Sequence, residues 1–332
     1  MLDVTVRNAS APTEGVKRSG RVDAVDCARA LALIGMASYH LSWDLADYGF
    51  VSAALPFTTP MRALSNTVAG AFLVLVGVSL ALAHRDRLNP PAFWRRIAIV
   101  GGAAALVTAG SLVFAPSQAI WFGILHCIAA ASVLALLLIE APAAVGLAAG
   151  TLMIALPFIV HSKLFDPPCL LWIGLGETLP NTLDWRPLLP WAGVVFLGLG
   201  AARLPGVLDL LSSPTRWRAQ SRFGRGLCFA GRCSLPIYLL HQPILIGLVA
   251  AAAHLGAHAI IPPAPPDDRA FIAACERACV KGGSSPEACG ESCRCAADAI
   301  ERSPAGARLG SAPLDAAQAA DLRRLVAACL AR

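Results

Sequence analysis

Three of the seven histidines lie inside apolar stretches, and they are the side chains of this sequence best suited to do chemistry. His40 stands in Ser38-Tyr39-His40-Leu41-Ser42-Trp43-Asp44-Leu45, with Asp44 four residues on and so one turn along the same helical face. A carboxylate there can hold an imidazole in one tautomer and raise its basicity, which is what a general base needs. The spacing fits equally an interfacial polar cluster in which Trp43 and the pair anchor a helix end. His126 follows Trp121-Phe122-Gly123-Ile124-Leu125, and His241 sits in Tyr238-Leu239-Leu240-His241-Gln242-Pro243. Ionisable groups at bilayer depth are costly to bury and find no partner in lipid, so each is expected to face a bundle interior. Pro243 frees the carbonyl of Leu239 and kinks its helix, and a broken helix with polar residues at depth suits a substrate cavity. Trp43, His126, His241 and Gln242 are therefore the expected cavity wall around His40. Interhelical hydrogen bonding that merely joins helices is the competing role for each histidine.

The elements that would position these groups follow from composition. Of 332 residues, 56% are hydrophobic and 14% charged, against roughly 25% charged in soluble domains. Mean hydropathy is +0.62, and the apolar residues come in blocks. A bilayer core needs about 20 apolar residues per helix. About seven blocks approach that length, near 28–49, 64–83, 97–115, 120–140, 143–161, 187–203 and 234–256. Pro157 cuts the fifth, and Pro187 and Pro190 open the sixth. The expected fold is all-α: a polytopic transmembrane bundle of about seven spans with a small α-helical, cysteine-rich C-terminal domain.

Residues 1–20 read as a polar N-terminal tail with no cleavable apolar core. Residues 21–258 form the membrane domain, 259–268 a Pro-rich linker and 269–332 a polar tail. Fifteen Lys and Arg fall in residues 1–29, 84–96 and 203–233, against Arg62, Lys163 and Arg186 on the opposite side before the tail. The positive-inside rule then places the N-terminus in the cytoplasm and the C-terminal tail outside, in a bacterial inner membrane the periplasm. The basic surplus is a topology signal, and no nucleic-acid partner is expected. Neither a glycine-rich phosphate loop, a zinc-protease helix nor a serine elbow occurs.

Six of the eleven cysteines lie in the tail. Cys275 and Cys279 share a helical face, as do Cys289 and Cys293, with a turn around Gly282-Gly283 between. A helical hairpin would set Cys275 against Cys293 and Cys279 against Cys289, leaving Cys295 and Cys329 for a third bridge. A zinc site is the rival reading of such spacing. An extracytoplasmic compartment and a domain too small for a large core favour disulfides, and no metal is expected. Cys27, Cys127, Cys169, Cys228 and Cys233 read as small packing residues.

Asp26 and Arg29 are three apart at the cytoplasmic mouth of the first span. They read as an ion pair orienting the helix, or with Arg29 as a contact for a phosphate-bearing substrate. Asp184-Trp185-Arg186 falls on the outer side, where it could shape an entrance.

Taken in order, Arg21-Val22-Asp23-Ala24-Val25-Asp26-Cys27-Ala28-Arg29, Met36, His40-Leu41-Ser42-Trp43-Asp44-Leu45, Phe72 through Leu80, Phe122 through His126, Pro187-Leu188-Leu189-Pro190-Trp191 and Ser234 through Pro243 resemble the heparan-alpha-glucosaminide N-acetyltransferase catalytic-domain family. The resemblance covers roughly residues 21–250 and leaves the tail outside. Ala30 departs from it, standing where the family has glycine. The resemblance implies acetyl transfer from cytosolic acetyl-CoA to an amino sugar or envelope glycan across the membrane. Through its His-x-x-Trp context, it implies His40 as the active-site histidine, acting as general base or as acetyl-carrying nucleophile. Asp44 would orient His40, and Arg29 would meet a phosphate of acetyl-CoA. Membrane lipid is the remaining expected partner, with a homo-oligomer left open. Two other classes stay in view: a small-solute transporter, and a membrane-anchored binding module whose working part is the tail.

Overall fold

The computed structural model describes residues 22–52, 54–85, 87–212, 219–255, 268–281, 285–303 and 316–330. The N-terminal tail expected over 1–20 and most of the Pro-rich linker lie outside the described residues. Among the described residues every regular element is helical. In chain order they are α1 (Asp23–Asp47), α2 (Thr59–Ala83), α3 (Pro90–Phe114), α4 (Ile124–Ala135), α5 (Ala143–Ile159), α6 (Pro168–Leu171), α7 (Leu188–Ala202), α8 (Val207–Ser212), α9 (Arg222–Arg232), α10 (Ser234–His254), α11 (Asp268–Lys281), α12 (Pro286–Glu301) and α13 (Ala316–Leu330).

Each of the seven apolar blocks carries a helix, but the helices differ in reach. Among the described residues α2, α3 and α10 are long and apolar enough to cross a membrane. Helices α4, α5 and α7 are apolar but shorter. Helix α1 is 25 residues long and carries Asp23, Asp26, Arg29, Asp44 and Asp47. Prolines explain two of the short helices. Pro157 lies inside α5, which ends two residues later. At α7, Pro187 precedes the helix, Leu189 has extended backbone and Leu189–Pro190 is cis. Helix α4 starts at Ile124, not near 120, because the preceding residues pair with another loop: Leu183 N–H donates to Gln118 C=O at 3.0 Å.

The chain divides into two compact units. One holds the start of α1, to Ala30, and Leu73–Arg232. Its core is built on Leu73, Leu80, Phe93, Cys127, Val195 and Leu199. Glycines let α7 approach its neighbours: a Cβ on Gly150 would lie 2.7 Å from the Gly193 carbonyl, and one on Gly193 would lie 2.6 Å from the Gly150 carbonyl. Small residues at such crossings replace the missing hydrophobic drive between helices in lipid with close van der Waals contact. In the same unit α9 lies on the first turns of α1. Cys228 and Cys27 sulfurs are 3.1 Å apart, and Arg232 bonds both Asp23 (2.9 Å) and Asp26 (3.1 Å).

The other unit holds Leu31–Phe72 and the chain from Cys233 onward. It contains the remainder of α1, the first half of α2, α10 and the tail. In the tail Cys275 is joined to Cys293, Cys279 to Cys289 and Cys295 to Cys329. Helix α12 begins cleanly, with Ser285 Oγ accepting Ala288 N–H at 3.3 Å and Pro286 in the first turn.

Candidate functional site

Within the second unit, α1 and α10 bring four of the sequence-selected side chains together. The rings of His40 and His241 meet edge to face, with centroids 4.9 Å apart. Asp44, only 3% exposed, accepts a 2.7 Å hydrogen bond at Oδ1 from the Gln242 amide. The periodicity of α1 puts Asp44 one turn beyond His40, and α10 supplies His241 and Gln242 from consecutive positions. Tyr39 packs edge-on to His40 at 5.6 Å, and Tyr238 lies 5.7 Å from the His241 ring. Trp43 makes its edge-to-face contact with Phe57, at 4.9 Å, in the segment that follows α1.

The protonation pattern of His241 follows from its backbone partner. Its Nδ1 is 2.6 Å from the Tyr238 carbonyl. A carbonyl can only accept, so Nδ1 carries the proton and Nε2 of the neutral ring presents a lone pair. Three buried atoms have no hydrogen-bond partner among the described residues: His241 Nε2, Asp44 Oδ2 and Gln242 Oε1. All three belong to this one cluster. Buried polar atoms are nearly always paired, so a group of orphans marks a place where a ligand or ordered water belongs.

His126 belongs to the first unit, where both its ring nitrogens are engaged. Nδ1 accepts Gly123 N–H at 3.2 Å, which leaves Nε2 to donate to Thr108 Oγ1 at 3.2 Å. Thr108 in turn donates to the Ile120 carbonyl at 2.7 Å. The side chain thus reaches back from the first turn of α4 to the residue before the helix, as the acidic or amide residue of a capping box does. Sequence reasoning missed the second cap of α4. Asp184, sixty residues away, accepts Ile124 N–H at 2.8 Å, and burial raises its carboxyl above the usual range, against the pull of that bond, Arg186 and His126. Gly123 is what admits it, since a Cβ there would meet the Asp184 carboxylate. Arg186 lies over the Trp191 ring, 4.7 Å from its centroid.

At the start of α1, Arg29 pairs with Asp26 at 2.8 Å and with Ser79 of α2. Asp26 is shared between Arg29 and Arg232, and Arg96 of α3 is close enough to Arg29 for their charges to interact. The signal for Arg29 and Asp26 was their spacing; the contributions of Arg232 and Ser79, from distant segments, had none. Among the described residues no group of three or more His, Cys, Asp or Glu is arranged to hold a metal ion.

Comparison with known proteins supplies one match. No curated protein and no solved structure matches the chain. The family model described as "Heparan-alpha-glucosaminide N-acetyltransferase, catalytic" matches residues 21–243, from just before α1 to the proline that follows Gln242. With two thirds of its length under that match, including both helices of the His40–His241 cluster, the chain belongs to the heparan-alpha-glucosaminide N-acetyltransferase catalytic-domain family.

Proposed function

We propose that this protein is a membrane-bound acetyltransferase that takes acetyl from cytosolic acetyl-CoA and gives it to an extracytoplasmic acceptor, an amino sugar or envelope glycan. Membership of the family implies a membrane acetyltransferase acting on amino-sugar acceptors. The donor, the side from which it enters and the residue roles are this proposal's additions. The observation that carries it is the cluster of His40, His241, Asp44 and Gln242 between α1 and α10, with three of its buried atoms unpartnered among the described residues. An anchor or a packing contact does not call for unpartnered buried acceptors, whereas a substrate site does.

In this reading His40 is the catalytic group, either deprotonating the acceptor or carrying the acetyl group itself. Asp44 orients it, and Trp43, His241 and Gln242 shape its surroundings. The arginines at the start of α1 face the cytoplasm by the positive-inside rule. There Arg29, close to Arg96 and Arg232, offers a positive patch to the phosphates of acetyl-CoA. The proposed setting is a bacterial inner membrane with the N-terminus cytoplasmic. The tail would then lie in the periplasm, where its three disulfides would persist.

The test is thermal melting of the detergent-purified protein against rising acetyl-CoA, with CoA and ATP as controls. A ligand that binds only the folded state raises the melting temperature by mass action. A saturable rise with acetyl-CoA, together with loss of acetyl transfer in a His40→Ala variant that still shows that rise, is the expected result. A folded sample with no rise, or undiminished turnover by His40→Ala, would overturn the reading.

A further inference from the structure

We infer that His241 is a second catalytic histidine, the proton acceptor for the incoming nucleophile, and that Asp44 Oδ2 and Gln242 Oε1 are the acceptors that seat that nucleophile. The inference rests on the acetyltransferase reading above and assigns to His241 a chemical role beyond that of lining a cavity.

His126 and His241 differ in how their rings are engaged. His126 uses both ring nitrogens, with Gly123 and Thr108. His241 uses one. Its Nδ1 is committed as a donor to the Tyr238 carbonyl at 2.6 Å, which fixes the tautomer and leaves Nε2 as a bare lone pair. That atom is buried and has no partner among the described residues. A base with its proton-accepting nitrogen set in advance and its other nitrogen held by an acceptor is the arrangement general-base catalysis requires.

The neighbours define what the base would serve. Gln242 must turn its NH₂ toward Asp44 Oδ1, because the reverse orientation would set two oxygens against each other. Its own Oε1 and the second carboxylate oxygen, Asp44 Oδ2, are then also bare acceptors. These three acceptors are all the unpartnered buried side-chain atoms among the described residues, and they select a ligand rich in N–H or O–H over a carboxylate or phosphate at this position. A neutral primary amine fits: one N–H to His241 Nε2, the other to Asp44 or Gln242, and the nitrogen lone pair free for the acetyl carbon. With the proton accepted by His241, His40 takes the second of its two roles and carries the acetyl group. Its nitrogen bonds the acetyl carbon as the C–S bond of the thioester breaks, with the electron pair leaving on the CoA sulfur. The amine N–C bond then forms as the bond from that carbon to His40 breaks. The amine proton passes to His241 Nε2, and the electron pair of the broken bond returns to the His40 nitrogen. The imidazolium then returns its proton to the thiolate, directly or through water, to give CoA–SH and the neutral ring.

The experiment uses the full-length protein in detergent with acetyl-CoA and glucosamine, and reads N-acetylglucosamine. In His241→Asn the amide nitrogen can still donate to Tyr238, but position 241 no longer offers a base. The expected result is a kcat lower by about 10²–10⁴-fold, the range for losing a general base, with KM for acetyl-CoA and its thermal stabilisation unchanged. His241→Ala is expected to regain turnover when free imidazole is added, which a purely structural role would not give. Near-wild-type kcat in His241→Asn, or no rescue of a folded His241→Ala by imidazole, would overturn the inference while leaving the acetyltransferase reading intact. Absence of product from the wild-type protein would remove both.

Discussion

Gln242 of α10 donates its side-chain amide to Asp44 of α1 at 2.7 Å, tying down a buried carboxylate one helical turn from His40. The bond satisfies Oδ1 and leaves Oδ2 bare, so Asp44 is half anchored and half available. Its orientation cannot come from α1 alone, because the partner arrives from a helix almost two hundred residues later in the chain.

Gln242→Ala should therefore do more than remove one contact. It leaves both oxygens of a buried carboxylate unpaired, which costs about 1–3 kcal/mol of stability. Asp44→Asn in the same background should recover part of that loss, because a neutral amide is cheaper to bury than a carboxylate. A double-mutant cycle on melting temperature reads the coupling. Additive effects of the two substitutions would mean that the bond does not form in the working protein.

The glycine contacts between α5 and α7 make a second prediction. A methyl group on Gly150 or Gly193 meets backbone atoms within 2.8 Å, and backbone cannot swing aside as a side-chain tip can. Gly150→Ala and Gly193→Ala should each lose about 1–3 kcal/mol, the usual cost of overpacking. Gly101→Ala and Gly110→Ala are the controls, since a Cβ at either meets nothing within 4 Å. Melting in one detergent should separate the two pairs, and equal effects in all four would show that α5 and α7 are not in backbone contact.

Local periodicity made part of this site legible in the sequence. His40 and Asp44 share a face because they are four apart, and the i, i+4 pairs Cys275/Cys279 and Cys289/Cys293 meet across a hairpin, with Cys295 and Cys329 left to pair with each other. Periodicity fixes a face but not its partner. Nothing in the spacing distinguished His241, which meets His40, from His126, which is taken up by Gly123 and Thr108. Helix α9 falls in the basic segment 203–233 that joins two apolar blocks, because its eleven residues hold Gly224, Gly226 and Gly231 and three arginines, and its apolar run, Leu227 to Ala230, is four residues long. Its reason for being lies far away in sequence, in the Asp23 and Asp26 carboxylates that Arg232 reaches. Asp184 reads in the sequence only as part of an entrance on the outer side, and its role as the cap of α4 depends on a long-range fold that no local motif records.

The tail offers a test of topology as well as stability. Replacing Cys275 and Cys293 by Ser should cost about 2–4 kcal/mol of tail stability, the typical worth of a disulfide. The readout is protease resistance of residues 268–330 before and after substitution. In intact cells, a membrane-impermeant maleimide applied after mild reduction should label the tail cysteines if the C-terminus is outside. Labelling only after the membrane is opened would reverse the orientation derived from the arginines.

Asp184 gives a pH dependence whose sign can be worked out. Burial raises its carboxyl in the folded protein above the ordinary 3.8, so the folded state holds a proton that the unfolded chain has released. Stability rises with pH where the unfolded state binds more protons, and here the folded state binds more. The contribution of Asp184 is therefore greatest below the ordinary carboxyl range and is lost as pH rises through the elevated value. Asp184→Asn keeps an oxygen for Ile124 N–H without the titration. Relative to wild type, the variant should gain stability as pH rises from 4 to 7, read as the difference in melting temperature between the two proteins at each pH. A wild type that gains on Asp184→Asn over that range would mean that Arg186 and His126 attract the carboxylate more strongly than burial penalises it.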